Sequence, residues 1–358
     1  ALDLAARASR SALEEAGLGL PDVDALFVCT GDDALSGLSA AEYLGIRPRF
    51  TDNNRTGGSA FSSHAITAAI MLEAGYIDTA LIMYGSNQRT GAGGLVSMRQ
   101  ASPYEKPYRP MNPLSSYALA AARHMHQYGT SREQLAEVAV AARGWANLNP
   151  EAFMHGKPLT LEDCLQSRMI SDPLGKTDCC LITDGAAAIV MTRADRASDL
   201  VPAPVYLLGG AAAVWHSSVD QMEDLTVTPA VESGARAFEL AGYGPSDMDL
   251  VNLYDAFTIN TILFLEDLGY CKKGEGKDFV TGGRIAPGGE LPVNTNGGGL
   301  SCVHPGMYGL FVMIEGIRQA RGTCGDRQIK DAGICLAHGN GGVLSSQVTS
   351  IWGRPETV

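Results

Sequence analysis

The residues whose types could do chemistry fall in four short stretches. NGGGLSCVHPG, from Asn296 to Gly306, sets His304 after a run of glycines and before a proline, with Cys302 two residues ahead of it and Tyr308 four behind. YDAFT, from Tyr254 to Thr258, puts a phenol beside a carboxylate, and HGNGG, from His338 to Gly342, offers a second imidazole with Gly339 and Asn340. TGGSAFSSH, from Thr56 to His64, opens a segment that carries no charge between Ser59 and Leu72. Imidazole, phenol and hydroxyl groups supply acids, bases and nucleophiles. Each also has a plainer reading. Tyr254 ends a strand as a core tyrosine; Asp255 caps the next helix; Asn340 serves a left-handed turn; His338 bonds backbone; Cys302 is a buried, inert thiol. Ser59, Ser62 and Ser63 then cap or open a helix.

These stretches stand at strand-to-helix turns or strand ends, where α/β proteins place their sites. The elements around them are duplicated. Ala12, Glu14, Ala16, Gly17, Gly19, Asp22 and Asp24 recur 225 residues later as Ala237, Glu239, Ala241, Gly242, Gly244, Asp247 and Asp249. In each copy an amphipathic helix ends at glycine, crosses a polar turn and enters an apolar strand, DALFVCT or DLVNLYD. Two similar α/β halves are predicted, 1–200 with an insertion at 86–175, and 201–358, with a cleft between them as the natural substrate site. Further helices are expected over Ser59–Ala74, Tyr117–Tyr128, Arg132–Asn147, Ile259–Leu268 and Met307–Ala320. Strands are expected over Thr79–Tyr84, Cys179–Thr192, Pro204–Gly209 and Ala332–Ala337, the last ending in HGNGG. The strand at Pro204–Gly209 precedes the second copy's helix, so symmetry predicts a leading strand some 20 residues before Ala1 in the natural protein. The uncharged helix after Ser59 is buried, and its N–H groups and positive dipole end would face the cleft.

A length of 358 residues suits two domains, and no apolar run reaches the ~20 residues a membrane helix needs. The net charge of −12 argues against nucleic acid. The insertion is mildly basic, nine Lys/Arg against seven Asp/Glu, on an acidic remainder of 18 against 32, which suits a small anionic ligand such as the phosphates of a nucleotide-like carrier. Eight cysteines without CxxC pairs or metal-ligand spacing read as reduced, cytosolic thiols, and no metal site is expected.

Over essentially its whole length the chain resembles the thiolase superfamily, particularly its sterol-carrier and lipid-transfer subgroup. NTNGGGLSCVHPGMYG is similar to the family's NxNGG…GHPxGxxG block, HGNGG to its C-terminal active-site loop, YDAFT to its NEAF or HDCF motif, and ALIMYG at Ala80–Gly85 to the strand after the nucleophile helix. The resemblance implies a duplicated, layered α-β-α-β-α sandwich, a homodimer, and coenzyme A as part of the substrate with no tightly bound cofactor. It also implies that His304 polarises a thioester oxygen, the kind of donor worth ~3–4 kcal/mol of barrier. The family's acyl-accepting cysteine would fall at Gly58 or Ser59, and neither is cysteine. The aldolases of the subgroup, which also lack it, split a β-hydroxyacyl thioester and work with a small zinc-ribbon/OB-fold protein. On that likeness the expected chemistry is retro-aldol cleavage, with Tyr254 or His338 moving the proton and Ser59, Gly339, Asn340, Cys302 and Tyr308 lining the substrate. Acyl transfer through Ser59, or a non-catalytic acyl-CoA or lipid-binding subunit, are the alternatives.

Overall fold

The computed structural model describes residues 1–358 except 32, 93–102 and 202. The sequence stretch GAGGLVSM, Gly91–Met98, reads as a candidate wall of the substrate pocket, and from residue 93 onward it lies outside the described residues. The first half runs α1 (Leu2–Glu15), β1 (Ala25–Val28), α2 (Ser36–Leu44), β2 (Phe50–Asp52), α3 (Ala60–Glu73) and β3 (Thr79–Ser86). Between β3 and β6 (Gly185–Thr192) come α4 (Leu114–Tyr128), α5 (Arg132–Asn147), α6 (Leu161–Leu165) and the pair β4 (Met169–Ser171) and β5 (Leu174–Gly175). After α7 (Ala194–Leu200) the second half follows: β7 (Tyr206–Val214), α8 (Ala230–Ala241), β8 (Leu250–Leu253), α9 (Thr258–Asp267), α10 (Gly276–Phe279), α11 (Gly309–Arg321), β9 (Ile334–Gly341) and β10 (Ser346–Gly353).

The duplicated residues do the same work twice. Gly17 and Gly242 take φ of 67° and 74°, a left-handed turn that glycine adopts freely. The next amide closes each helix, Leu18 N–H onto Leu13 O and Tyr243 N–H onto Phe238 O. Asp22 and Asp247 each accept the N–H of the glycine three residues earlier at 2.7 Å. Asp24 accepts the N–H groups of Asp78 and Thr79 and so fixes the start of β3; Asp249 does this for β9 through Gly333 and Ile334.

Two four-stranded sheets result, in the orders β2-β1-β3-β6 and β7-β10-β9-β8. Strands β2, β1 and β3 run parallel in the first sheet and β8 and β9 in the second, and in each the next strand is antiparallel (β6, β10). α3 and α11 pack together between the sheets. α3 suits that layer because Ala60, Phe61, Ala65, Ala68 and Leu72 are all buried. β7 covers the outer edge of β10 from end to end, whereas no described strand covers β6. A cavity of about 1010 Å³ runs along that open edge, with Ala12 near the end of α1 and Ala16 just past it on one side and Phe311 and Ile314 of α11 on the other. In the second half β7 holds this position, its Gly209 pressed against Ala237 and Ala241, the counterparts of Ala12 and Ala16.

Three expectations need correction. HGNGG is not a turn: β9 runs through it to Gly341 and returns as β10, a strand of eight buried residues rich in Ser, Thr and Gln that sequence reading missed. Asn340 consequently sits in a strand. The segment from Cys179 to Thr183 is not part of the β6 ladder; it lies against the second half, with Cys180, Leu181 and Thr183 N–H groups donating to Ala256, Gly299 and His304 carbonyls.

Candidate active site

Tyr254 follows β8, and its N–H donates to His338 O at 3.0 Å, which aims the side chain under the N-terminus of α3. A Cβ built on Gly58 would stand 2.0 Å from Cε2 of the Tyr254 ring and 2.8 Å from Cζ. The ring thus fills the space beside one of the two positions where the family's cysteine would fall, and only glycine at 58 admits it. Gly309, at the start of α11, meets the Gly58 carbonyl as closely, 1.9 Å from a built Cβ, so the two central helices begin at the same place.

His304 reaches this point from the other side. A tight turn, Gly298–Cys302, leads to it; its N–H donates to Thr183 Oγ1 at 3.1 Å and its carbonyl accepts from Gln88 Nε2 at 2.8 Å. The imidazole Nε2 lies 3.1 Å from Tyr254 Oη, with the rings edge to face at 5.6 Å between centroids. Nδ1 has no hydrogen-bond partner among the described residues. Burial pushes His304 down to about 4 and the Tyr254 phenol well above its ordinary value, so at neutral pH the pair is a neutral imidazole and a protonated phenol.

Tyr308 turns inward beside them: it is buried, stands edge to face with Tyr254 at 5.7 Å, and donates from Oη to Asn296 Oδ1 at 2.9 Å. Asp255 does not cap α9. Its fully buried carboxylate accepts the Gly299 N–H at 2.6 Å and the Leu300 N–H at 3.4 Å, against the turn that leads to His304. Beneath the loop, Thr295 donates to Glu315, which is paired in a buried bidentate contact with Arg327 at 3.0 and 3.2 Å.

The remaining expected residues lie elsewhere in the packing. His338, the alternative proton carrier, has both ring nitrogens engaged, Nδ1 with Thr349 Oγ1 and Nε2 with Gln347 Oε1, each at 2.9 Å, and abuts Phe264. It has no free nitrogen for a substrate, so that role falls away. Asn340 receives Gln347 Nε2 at 2.7 Å and gives its own amide to Tyr117 Oη at 2.8 Å, linking β9 to α4. Gly339 leaves room for α3, where a Cβ would lie 2.9 Å from Ser62 Oγ. Ser59 Oγ is bonded to Ser346 and Thr56 hydroxyls at 2.9 and 3.0 Å, neither of them a base. Cys302 packs with Ala146 and Ala152 of the insertion, its thiol pushed up to about 12 by burial. All eight thiols are raised by burial, so none is a ready thiolate. The groove along β6 is not over the Tyr254–His304 pair; its far end touches Asn296 and Cys302, behind the turn.

Two like α/β halves, each built on a four-stranded sheet, with α3 and α11 packed between the sheets, have the layered plan of the thiolase fold class. Residues 211–354 match the family described as thiolase C-terminal domain-like. The chain is 36% identical to a 17-hydroxy-3-oxo-4-pregnene-20-carboxyl-CoA lyase of Mycobacterium tuberculosis, over 90% of this chain and 87% of the relative. It is 34% identical to an acetyl-CoA acetyltransferase of Methanothermobacter thermautotrophicus, over 98% and 94%. Among solved structures, the Ltp2-ChsH2(DUF35) aldolase superposes with a TM-score of 0.89 at 32% identity, covering 99% of this chain and 92% of that one. The chain belongs to the thiolase superfamily.

Proposed function

We propose that this protein cleaves a carbon–carbon bond beside a coenzyme A thioester by a retro-aldol reaction. A β-hydroxyacyl-CoA would give a carbonyl compound and a shorter acyl-CoA. The observation that carries this reading is the 3.1 Å contact between the buried Tyr254 Oη and His304 Nε2, with no thiolate beside it. The neutral imidazole, with one N–H, is suited to donate to the thioester oxygen as it becomes an enolate oxygen. The raised phenol cannot begin as a phenolate. It can take the proton of the substrate's β-hydroxyl as its own moves to His304 Nε2, 3.1 Å away; the bond between α- and β-carbons breaks to leave the enolate, whose α-carbon then takes a proton back through the phenol, so the hydroxyl proton is balanced by the one delivered to carbon. The names of the lyase and aldolase relatives point to the same class of reaction. Their likeness also supports a protein partner of the kind named in the solved aldolase, and eight unpaired cysteines fit a reducing, cytoplasmic setting. A homodimer is part of the same reading. No described helix is long and apolar enough to cross a membrane.

The acetyltransferase relative favours a second reading, acyl transfer. Incubation with a panel of β-hydroxyacyl-CoAs, with and without a co-expressed zinc-ribbon partner, should release the carbonyl product and a shortened acyl-CoA, seen by mass spectrometry. An acyl-enzyme trapped from a β-ketoacyl-CoA with free coenzyme A, in the absence of such products, would establish transfer instead. No turnover in either assay with retained ligand binding would leave a binding subunit.

A further inference from the structure

We infer that Asp255 is the positioning residue of the reactive pair, its carboxyl group tying the end of β8, which carries Tyr254, to the glycine turn that carries His304. The inference rests on the reading of Tyr254 and His304 as the reacting groups.

The geometry is that of a clamp. Asp255 follows Tyr254 directly, so a shift of one backbone moves the other. One carboxylate oxygen accepts from Gly299 at 2.6 Å and the other faces Leu300 at 3.4 Å, while the Asn294 amide donates from the start of the same loop. The turn is pressed onto the carboxylate: a Cβ built on Gly298 would stand 2.0 Å from Oδ2, and one on Gly299 would stand 3.1 Å from Oδ1 and 3.2 Å from His304 Cδ2. Gly299 is therefore gripped by Asp255 on one side and touches the imidazole on the other. The segment from Cys180 to Thr183 braces the assembly from outside, through Ala256 O, Gly299 O and His304 O.

What faces the carboxylate decides how it titrates. Tyr254 on its own segment, Cys180 on the bracing segment, Cys302 on the turn and Tyr308 ahead of α11 are all held neutral by burial. No Lys or Arg forms an ion pair with it among the described residues. Burial without a cation lifts Asp255 to about 7, against the pull of its N–H donors. Protonation puts a donor on one oxygen where an acceptor is needed, so one clamp bond is lost as the pH falls through neutrality. Turnover should share that acid limb.

The test uses the intact chain with a β-hydroxyacyl-CoA that it turns over. Asp255→Asn keeps the shape and removes the charge; kcat should fall about 10- to 100-fold, the range expected for a small misplacement of reacting groups, with KM changed less than about threefold, and the acid limb near pH 7 should vanish. Asn294→Gly tolerates the φ of 54° at that position and removes the amide donor, so the limb should move to higher pH; it also removes the Oδ1 that accepts the Leu253 N–H at 2.6 Å, so it is read by the position of the limb and not by kcat. Independently of turnover, a carboxyl infrared band should titrate near pH 7 in the parent and be absent from the Asp255→Asn protein. If that variant does not fold, the parent band and the Asn294→Gly profile decide. Unchanged kcat and limb in Asp255→Asn, or no carboxyl titrating near neutrality, would overturn the clamp. A parent that shows the band but cleaves no β-hydroxyacyl-CoA would instead overturn the reaction assigned above.

Discussion

Replacing Gly58 by alanine probes the exchange of a nucleophile for a phenol. The new methyl would stand 2.0 Å from Tyr254 Cε2 and 2.8 Å from Asn340 O. Carbon–carbon contacts settle near 3.5 Å, so the ring or the helix must give by about 1.5 Å. The Asn340 carbonyl lies in the central strand β9 and cannot retreat easily, which leaves the ring to move. From 3.1 Å, such a shift takes Tyr254 Oη out of hydrogen-bond reach of His304 Nε2. Overpacking of this kind costs roughly 1–3 kcal/mol of stability, and misplacing reacting groups by about 1 Å costs on the order of 100-fold in rate. Cleavage of a β-hydroxyacyl-CoA, followed by chromatography of the shortened acyl-CoA, should therefore slow by about two orders of magnitude while the protein remains folded. Gly31→Ala, where nothing lies within 4 Å of the added methyl, is the control and should leave the rate unchanged. A Gly58→Ala protein that retains kcat within twofold would refute the reasoning.

Three further outcomes follow from the geometry. Ser59→Ala removes bonds to two hydroxyls and the Thr56 carbonyl and none to a base, so kcat should stay within about threefold and stability should drop by about 1 kcal/mol; a loss of 50-fold or more in a product assay would restore Ser59 as a nucleophile. Glu315→Gln leaves the Arg327 guanidinium buried without its counter-charge, and urea unfolding should register about 3–5 kcal/mol of destabilisation; a change under 1 kcal/mol would contradict the pair's place beneath the loop. His64, His304 and His338 are each held down to about 4 by burial, so the native state binds fewer protons than the unfolded chain. Their contribution to stability is complete above pH 6.5 and is lost as the pH falls from there toward 4, at up to about 1.4 kcal/mol per pH unit for each. Asp255, raised to about 7, works in the opposite sense, and so do Asp178 and Asp267, both raised by burial. Urea unfolding of the parent and of His64→Gln at pH 7, 6 and 5 should show the parent losing more stability toward pH 5 than the variant; an equal pH dependence in the two would contradict it.

The parts of the fold that could be read from sequence were those fixed by local rules. The paired Gly17 and Gly242 turns and the Asp22 and Asp247 caps act within a few residues, so their echo announced two like halves, and α5 begins and ends where its Ser131–Gln134 capping box and periodicity put it. β10 escaped notice because its Ser, Thr and Gln side chains read as exposed polar chain, whereas they are buried and satisfied, Thr349 by His338 and Gln347 by Asn340 across the β9–β10 pair and Thr349 again by Ser233 of α8. The turns that carry His304 and Tyr254 were legible from their sequence settings, and the fold brings the two side chains within 3.1 Å. Asp255 was visible as a neighbour of Tyr254, yet its hold on Gly299 spans 44 residues and only the folded turn shows it. Gly58 carried a signal in the same way: a glycine where a nucleophile was expected marks the close approach of another group. His338 misled because a histidine beside glycines looks catalytic, whereas its two hydrogen-bond partners come from a strand that sequence alone did not predict.

The central claim is that a carbanion forms beside a thioester at the Tyr254–His304 pair. Its most direct measurement is deuterium uptake at the α-carbon of a short acyl-CoA, with propanoyl-CoA as the probe, in D₂O. The parent protein should exchange that position. Tyr254→Phe and His304→Ala should bind the thioester yet exchange it at least ~100-fold more slowly. Exchange at the parental rate in both variants, or none in the parent with its partner protein supplied, would contradict the account.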